Sequence, residues 1–104
     1  MNFTNKVIWI TGASSGIGKE LAIYLSKLDA KLIISARNEE KLEAVKQACE
    51  NSETIKILPL DLEDYSNFNI KVSEAISWFG RIDVLVNNAG ISQRSLARET
   101  SIDV

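Results

Sequence analysis

The sequence predicts an α/β fold in which helices flank a parallel sheet of four strands. Short runs of continuous apolar residues, typical of strands buried on both faces, alternate with stretches whose apolar residues recur at helical spacing. Strands that alternate with helices form a parallel sheet through right-handed crossovers. Pro59 lies in the third apolar run and predicts an edge strand, because proline cannot donate to a hydrogen-bond ladder. The strand order 3-2-1-4 meets that requirement.

Each element has its own signal. The predicted strands are residues 7–10, 32–34, 55–60 and 82–86. The first helix is marked by apolar residues at helical spacing between 17 and 28, the second by those between 42 and 49, and the third by those between 68 and 79. Asn38 can cap the second helix, with Glu39 and Glu40 in the first turn where the helix dipole favours acids. Gly80 ends the third helix.

Composition restricts the function classes. The 104 residues suffice for one small domain, and a net charge of -2 provides no basic field for nucleic acid or a membrane surface. Cys49 is the single cysteine, which excludes an internal disulfide, and the absence of histidine excludes a histidine base or metal ligand. The polar start lacks the apolar core of a signal peptide. We therefore expect a cytoplasmic protein that binds neither nucleic acid nor membrane.

The loop between the first strand and the first helix carries the strongest functional signal. Its glycines follow the pattern Gly12-x-x-x-Gly16-x-Gly18. Gly12 permits a tight turn, Gly16 lets the backbone approach a pyrophosphate, and Gly18 lets the helix pack closely on the strand. A glycine-rich turn can also occur without a ligand, but its place after the first strand of a βαβ unit favours dinucleotide binding at the helix start. The predicted contacts in this loop are Gly12, Ser14, Ser15, Gly16, Ile17 and Gly18.

The end of the second strand predicts which dinucleotide is bound. An acidic residue there binds the ribose hydroxyls of NAD, whereas a basic residue accepts the 2′-phosphate of NADP. The sequence has Ala36 followed by Arg37, whose guanidinium can hold a phosphate through two parallel hydrogen bonds. Ser35 and Asn38 could add neutral donors. Arg37 alone could equally be an exposed charge at a helix start. Together with the glycine loop, it favours NADP binding.

Polar residues also follow the third and fourth predicted strands. Asp61 and Leu62 follow the third strand, and Asn87-Asn88-Ala89-Gly90 follows the fourth. The asparagines can hydrogen-bond to neighbouring strand ends, and the small Ala89 and Gly90 let a cofactor ribose pass close to the chain. Together with the glycine loop, this pattern resembles the short-chain dehydrogenase/reductase (SDR) family. Residues 91–101 are similar to the dehydrogenase/reductase member 7 group within that family and to related bacterial reductases.

The resemblance implies a partial Rossmann fold that binds NADP in preference to NAD. In the family, an Asp often stands where this chain has Ala36, and the residue corresponding to Asp61 contacts adenine, usually with the N–H of the next residue, here Leu62. Asn88, Ala89 and Gly90 are implied as cofactor contacts. The implied reaction is hydride transfer between the nicotinamide and a small-molecule carbonyl or alcohol, in a protein that forms a homo-oligomer.

Family chemistry also needs a Tyr-x-x-x-Lys pair and a Ser, which the resemblance places later in a complete member. Tyr24 is followed four positions on by Leu28, and Tyr65 by Asn69, so neither fits. We therefore expect residues 1–104 to form the N-terminal NAD(P)-binding part of a single domain, with no catalytic residue, inactive alone and prone to instability or association. Two alternatives stay open: a non-catalytic dinucleotide-binding module, and a methyltransferase-type domain, against which the Asn-Asn-Ala-Gly segment weighs.

Overall fold

The structure, a computed structural model, describes residues 3–61 and 68–88. Within this part the chain follows a βαβαβαβ order and forms a four-stranded parallel sheet in the order β3-β2-β1-β4, which confirms the predicted topology. The strands are β1 (Val7–Thr11), β2 (Lys31–Ser35), β3 (Ile55–Ile57) and β4 (Val84–Asn87). The helices are α1 (Gly16–Lys27), α2 (Glu39–Ala48) and α3 (Phe68–Phe79), with a 3₁₀ turn at Ser52–Thr54.

The central strand β1 is buried along its whole length, which explains its continuous apolar sequence. Ile8 and Ile10 point to the face of the sheet that packs with α1 and α2. Val7 and Trp9 point to the opposite face, where they join a second cluster with Ala75 of α3. The sheet therefore has helices on both faces, as βαβ crossovers require.

The edge strand β3 is shorter than predicted, because it ends at Ile57 rather than at residue 60. Hydrogen bonding to β2 nevertheless continues past its end: Leu58 N donates to Ile34 O and Leu60 N to Ala36 O, both at 2.9 Å. Pro59 lies between these two donors, at a position where an N–H would point away from β2. The proline is accommodated because β3 has β2 as its single neighbour in the described sheet.

The helices bury one apolar stripe each and begin at the same edge of the sheet. Ala22 and Leu25 of α1 and Leu42 and Val45 of α2 lie in the core. α3 ends at Phe79, and the following Gly80 donates its N–H to Ile76 O at 2.7 Å, as predicted from its position. Within residues 3–61 and 68–88 no helix is long and apolar enough to cross a membrane.

The strand β4 differs from its neighbour β1 because its residues are half-buried or exposed. Leu85 pairs with Trp9 and retains 41% of its accessible surface. Val84 and Val86 pair with Ile8 and Ile10 on the other face and are half-buried. Leu85 thus presents an apolar side chain on this flank of the sheet in the part of the chain that is described.

Candidate cofactor site

The carboxyl ends of β1, β2 and β4 lie side by side, which brings three sequence motifs to one edge of the sheet. Thr11, the last residue of β1, is paired in register with Ser35 on one side and with Asn87 on the other. The glycine loop therefore starts between the Ser35–Asn38 segment and the Asn-Asn segment. Ligands of open α/β sheets bind in the crevice outside these strand ends.

The glycine loop turns sharply as it leaves β1. Gly12 has φ 67° and Gly16 has φ 59°, both in the left-handed region that side chains disfavour. Between them Ala13 is fully buried, and its N–H donates to Ser35 O at 3.0 Å. The loop is thus held against the end of β2, while Gly16 faces open space, because a Cβ built on it would meet no atom within 4 Å.

Gly18 is required by close packing rather than by its dihedral angles. A Cβ at this position would lie 2.2 Å from Gly12 O and 2.8 Å from Asn88 Nδ2. The Asn88 amide itself approaches the same carbonyl, with Nδ2 3.4 Å from Gly12 O. The first turn of α1, the glycine loop and the residue after β4 therefore meet at one point, which confirms the packing role inferred for Gly18.

The N-terminus of α1 is open. Ser15 is the N-cap residue and has an extended backbone, but its side chain makes no capping hydrogen bond, and the first turn contains no acidic residue. The first N–H groups of a helix have no partner within the helix, and they carry the positive end of its dipole. The start of α1 is thus suited to an anion, and the positive-φ loop before it lets a phosphate group approach.

A hydroxyl of β1 joins the loop to the end of β4. Thr11 Oγ1 donates to Asn87 Oδ1 at 3.0 Å and accepts from Asn88 N at 2.9 Å. The asparagine pair therefore braces neighbouring strand ends as predicted, but through a side chain of β1 as well as through backbone groups. Sequence reasoning missed Thr11, although a hydroxyl at the end of β1 beside two asparagines at the end of β4 was a usable signal.

Ser35 has a structural role that the sequence did not predict. Its hydroxyl accepts a hydrogen bond from Trp9 Nε1 at 2.8 Å, and the residue retains 1% of its accessible surface. A buried indole N–H needs such a partner. The Ser35 hydroxyl thus satisfies Trp9, while the Ser35 carbonyl oxygen holds the loop through the N–H of Ala13.

The residues after β2 divide between surface charge and helix capping. Arg37 is exposed and makes no ion pair with any residue in the described part of the chain. Asn38 is the N-cap of α2, and its Oδ1 accepts from Lys41 N at 3.0 Å. The capping prediction is confirmed. It leaves only the amide NH₂ of Asn38 for the donor role that the sequence also suggested.

Comparison with known proteins identifies the family. A family model described as short chain dehydrogenase matches residues 6–104. The chain belongs to the short-chain dehydrogenase family. It is 50% identical over 106 residues to dehydrogenase/reductase SDR family member 7 of Mus musculus, covering 97% of this chain and 31% of the mouse protein. The similarity to the member 7 group inferred from residues 91–101 is thus confirmed, and the chain spans about a third of that relative's length.

Solved structures of short-chain dehydrogenases have the same fold. A short-chain dehydrogenase/reductase of Brucella melitensis, described as a glucose/ribitol dehydrogenase, superposes with a TM-score of 0.80 at 32% identity, covering 89% of this chain and 40% of that one. The 3-ketoacyl-(acyl-carrier-protein) reductase of the same organism, solved in complex with NADH, has a TM-score of 0.72 at 30% identity over 82% of this chain and 34% of that one. The partial Rossmann fold is therefore established.

The candidate site in this member of the short-chain dehydrogenase family is bordered by an open groove of about 700 Å³ on the outer face of α1. Ser14, Ser15, Gly16 and Ile17 line the groove, and the Ile17 side chain is 76% exposed. Four predicted loop contacts thus lie together along this open groove.

Four predicted cofactor contacts follow β3 and β4: Asp61, Leu62, Ala89 and Gly90. Asp61 is exposed after β3. Leu62, Ala89 and Gly90 lie outside the described residues. Among the residues that are described, no group of three or more acidic or cysteine side chains could hold a metal ion.

Proposed function

We propose that this chain is the cofactor-binding part of an NADP-dependent short-chain oxidoreductase that acts on a small-molecule carbonyl or alcohol. Family membership supports the oxidoreductase assignment. The observation that carries the binding role is the open N-terminus of α1 behind a loop with two positive-φ glycines. The proposal concerns both these residues and the longer protein implied by the relatives, of which this chain matches about a third.

The pyrophosphate would lie at the start of α1. The backbone N–H groups of the first turn and the helix dipole favour negative charge there. No carboxylate of the first turn competes for the position, and Gly16 leaves room above the loop. Gly18 and Asn88 keep the loop close to the helix, so the N–H groups need little rearrangement on binding. The local geometry therefore fits a dinucleotide phosphate.

Arg37 would select NADP by holding the 2′-phosphate. It directly follows the end of β2, it is exposed, and no ion pair within the described residues engages it. Ala36 before it is small and carries no charge that would repel a phosphate. A charge-assisted contact of this type contributes about 1.5–3 kcal/mol, equivalent to roughly a tenfold to hundredfold difference in affinity.

The bound nicotinamide supplies the hydride chemistry, and this chain binds and orients the cofactor. Tyr24 lies exposed on α1, and the residue four positions later is Leu28 rather than a lysine. We propose that the groups that exchange a proton with the substrate belong to a part of the protein outside these 104 residues. Substrate turnover by the whole protein would distinguish this proposal from the alternative of a binding module without catalysis.

Titration with NADPH and NADH tests cofactor choice directly. Arg37→Ala should weaken NADPH binding about tenfold to a hundredfold and leave NADH binding nearly unchanged, because NADH has no 2′-phosphate. Lys27→Ala, which removes an exposed cation in the last turn of α1, is the control for the change in net charge. Equal losses for both cofactors in Arg37→Ala would exclude the 2′-phosphate role, and a wild type that binds neither would exclude the cofactor site.

A further inference from the structure

Burial contributes less to the register of β4 than to that of β1, because Val84 and Val86 pack against the core but are only half-buried. Where one face of a strand is buried, a shift of one residue would expose its apolar set, so burial fixes the pairing. All five residues of β1 are buried, but β4 alternates between half-buried and exposed, and Leu85 retains 41% of its accessible surface. Contacts at the two ends of this four-residue strand therefore add to the pairing with β1 and to the packing of its valines.

Polar contacts hold the entrance of β4. Asp83, the residue before the strand, donates its backbone N–H to Val7 O at 2.8 Å. Its carboxylate Oδ2 in turn accepts the N–H of Val7 at 2.8 Å. Both bonds join Val7, the first residue of β1, to Asp83. The carboxylate bond is specific to this register, because the neighbouring Ile82 and Val84 have no side-chain acceptor.

Arg81 extends this arrangement to the segment before β1. Its Nε lies 3.1 Å and 3.0 Å from the two carboxylate oxygens of Asp83, and its Nη2 donates to the carbonyl oxygen of Asn5. Asn5 has φ 68°, so the chain turns there before it enters β1. We call Asn5, Val7, Arg81 and Asp83 the entry clamp.

The exit of β4 is the cofactor site. Thr11, at the last position of β1, contacts Asn87 and Asn88, and the Asn88 amide reaches Gly12 O beside Gly18. Only the four residues of β4 separate Asp83 of the entry clamp from Asn88. A register shift of one residue would move Asn88 by about 3.3 Å and turn its side chain to the other face.

We propose that Asp83 is a positioning residue for the cofactor site, because the entry clamp sets the register of β4 and thereby places Asn88 against the glycine loop. The effect on binding rests on the proposed dinucleotide function, whereas the effect on Asn88 does not. Asp83 itself lies at the amino end of the strands and the loop at their carboxyl ends, so the influence is transmitted through β4.

Amide NMR spectra, cofactor affinity and melting temperature together test this role. Asp83→Ala removes the acceptor for Val7 N–H and the partner of Arg81. Asp83→Asn keeps one carbonyl-type acceptor and carries the test if the alanine variant does not fold. Ser26→Ala is the matched control, because Ser26 Oγ accepts from Glu50 N at 3.1 Å in a buried position outside the entry clamp and the cofactor loop.

Asp83→Ala should shift the backbone amide signals of Gly12 and Gly18 and the side-chain amide signals of Asn88 in the cofactor-free chain. It should also weaken NADPH binding by the folded protein about tenfold, within the range by which remote residues modulate binding. Asp83→Asn should give smaller changes of the same pattern. Ser26→Ala should lower the melting temperature without either change.

Unmoved Asn88 and Gly12 signals in an Asp83 variant that melts at a lower temperature would overturn the proposal, as would shifted signals with unaltered NADPH affinity. If the wild type binds no dinucleotide, the proposed function fails by itself. The Asn88 signals of the cofactor-free variants would then still decide whether Asp83 positions this residue.

Discussion

The first two helices begin at the same edge of the sheet, but their N-termini are completed in different ways. α2 is completed by its own sequence: Asn38 Oδ1 accepts from Lys41 N, and Glu39 and Glu40 occupy the first turn. α1 has neither a side-chain cap nor an acid in its first turn, although Ser15 at the N-cap belongs to a residue type that commonly caps. The backbone N–H groups at the start of α1 are therefore available to a ligand, whereas at the start of α2 the N–H of Lys41 is already bonded to Asn38.

The difference has an energetic meaning. A side-chain cap contributes about 1 kcal/mol, and acids in the first turn add typically 0.3–1 kcal/mol. α1 forgoes both contributions, and an anion bound at its N-terminus could restore them. The turn into α1 also has two positive-φ glycines, Gly12 and Gly16, and within the described residues no side chain covers Gly16. Under the proposed function, the cofactor completes the N-terminus of α1, whereas α2 is completed by its own Asn38.

The largest effect is expected from closing the space beside α1. Gly18→Ala would place a Cβ 2.2 Å from Gly12 O, so the loop or the helix must move. Overpacking of this type costs about 1–3 kcal/mol of stability, and NADPH binding should become undetectable or fall at least about a hundredfold. Calorimetric titration and thermal melting measure the two effects. Ser26→Ala, which loses stability away from the loop, should retain the wild-type affinity.

A smaller effect is expected from giving α1 the charge that α2 has. Ser15→Asp places a carboxylate at the N-cap, which should raise the free energy of unfolding by about 0.3–1 kcal/mol and weaken NADPH and NADH binding about tenfold. Ser15→Asn is the uncharged control of similar size. If Ser15→Asp binds both cofactors as tightly as Ser15→Asn does, phosphate does not bind at this helix start.

Removing the side-chain cap of α2 should lower stability without changing cofactor affinity. Asn38→Ala removes the acceptor for Lys41 N and should lower the free energy of unfolding by about 1 kcal/mol. NADH affinity should change less than twofold. A marked loss of NADH affinity would mean that the Asn38 amide contacts the cofactor, which would narrow the contrast between the two helices.

The smallest effect is expected on acid stability, from the hydrogen bond that the Val7 N–H donates to the Asp83 carboxylate. This hydrogen bond, followed by the Arg81 guanidinium, holds the pKa of Asp83 below its ordinary value of 3.8. The stabilisation is therefore present above pH 3.8 and is lost as the pH falls through the lowered value in the folded state. Asp83→Asn should remove this component of the acid unfolding profile. An unchanged profile would show that the carboxylate charge does not contribute.

Much of the fold followed from local patterns. The continuous apolar runs identified the strands, and Pro59 placed β3 at the edge because its missing donor allowed no second neighbour. The length of β3 was overestimated, since ladder-like hydrogen bonds from Leu58 and Leu60 continue beyond the regular strand. Apolar sequence predicts such pairing but does not reveal where regular geometry ends.

The candidate site was predictable where backbone geometry decides the residue type. The glycines could be assigned because turns and close packing restrict side chains at those positions. The structural role of Ser35 was missed because it depends on Trp9, a residue distant in sequence whose indole needs an acceptor. The link between Asp83 and Val7 was missed for the same reason, since it spans 76 positions and has no periodic signature.

The most direct test of the contrast between the two helices is an amide NMR titration of the chain with NADPH. The backbone amides of Gly16, Ile17 and Gly18 should shift in a saturable manner. The amide of Lys41, already hydrogen-bonded to Asn38, should shift far less. Saturable shifts that are absent at the start of α1, or that are equally large at Lys41, would contradict the conclusion that the cofactor phosphate completes α1.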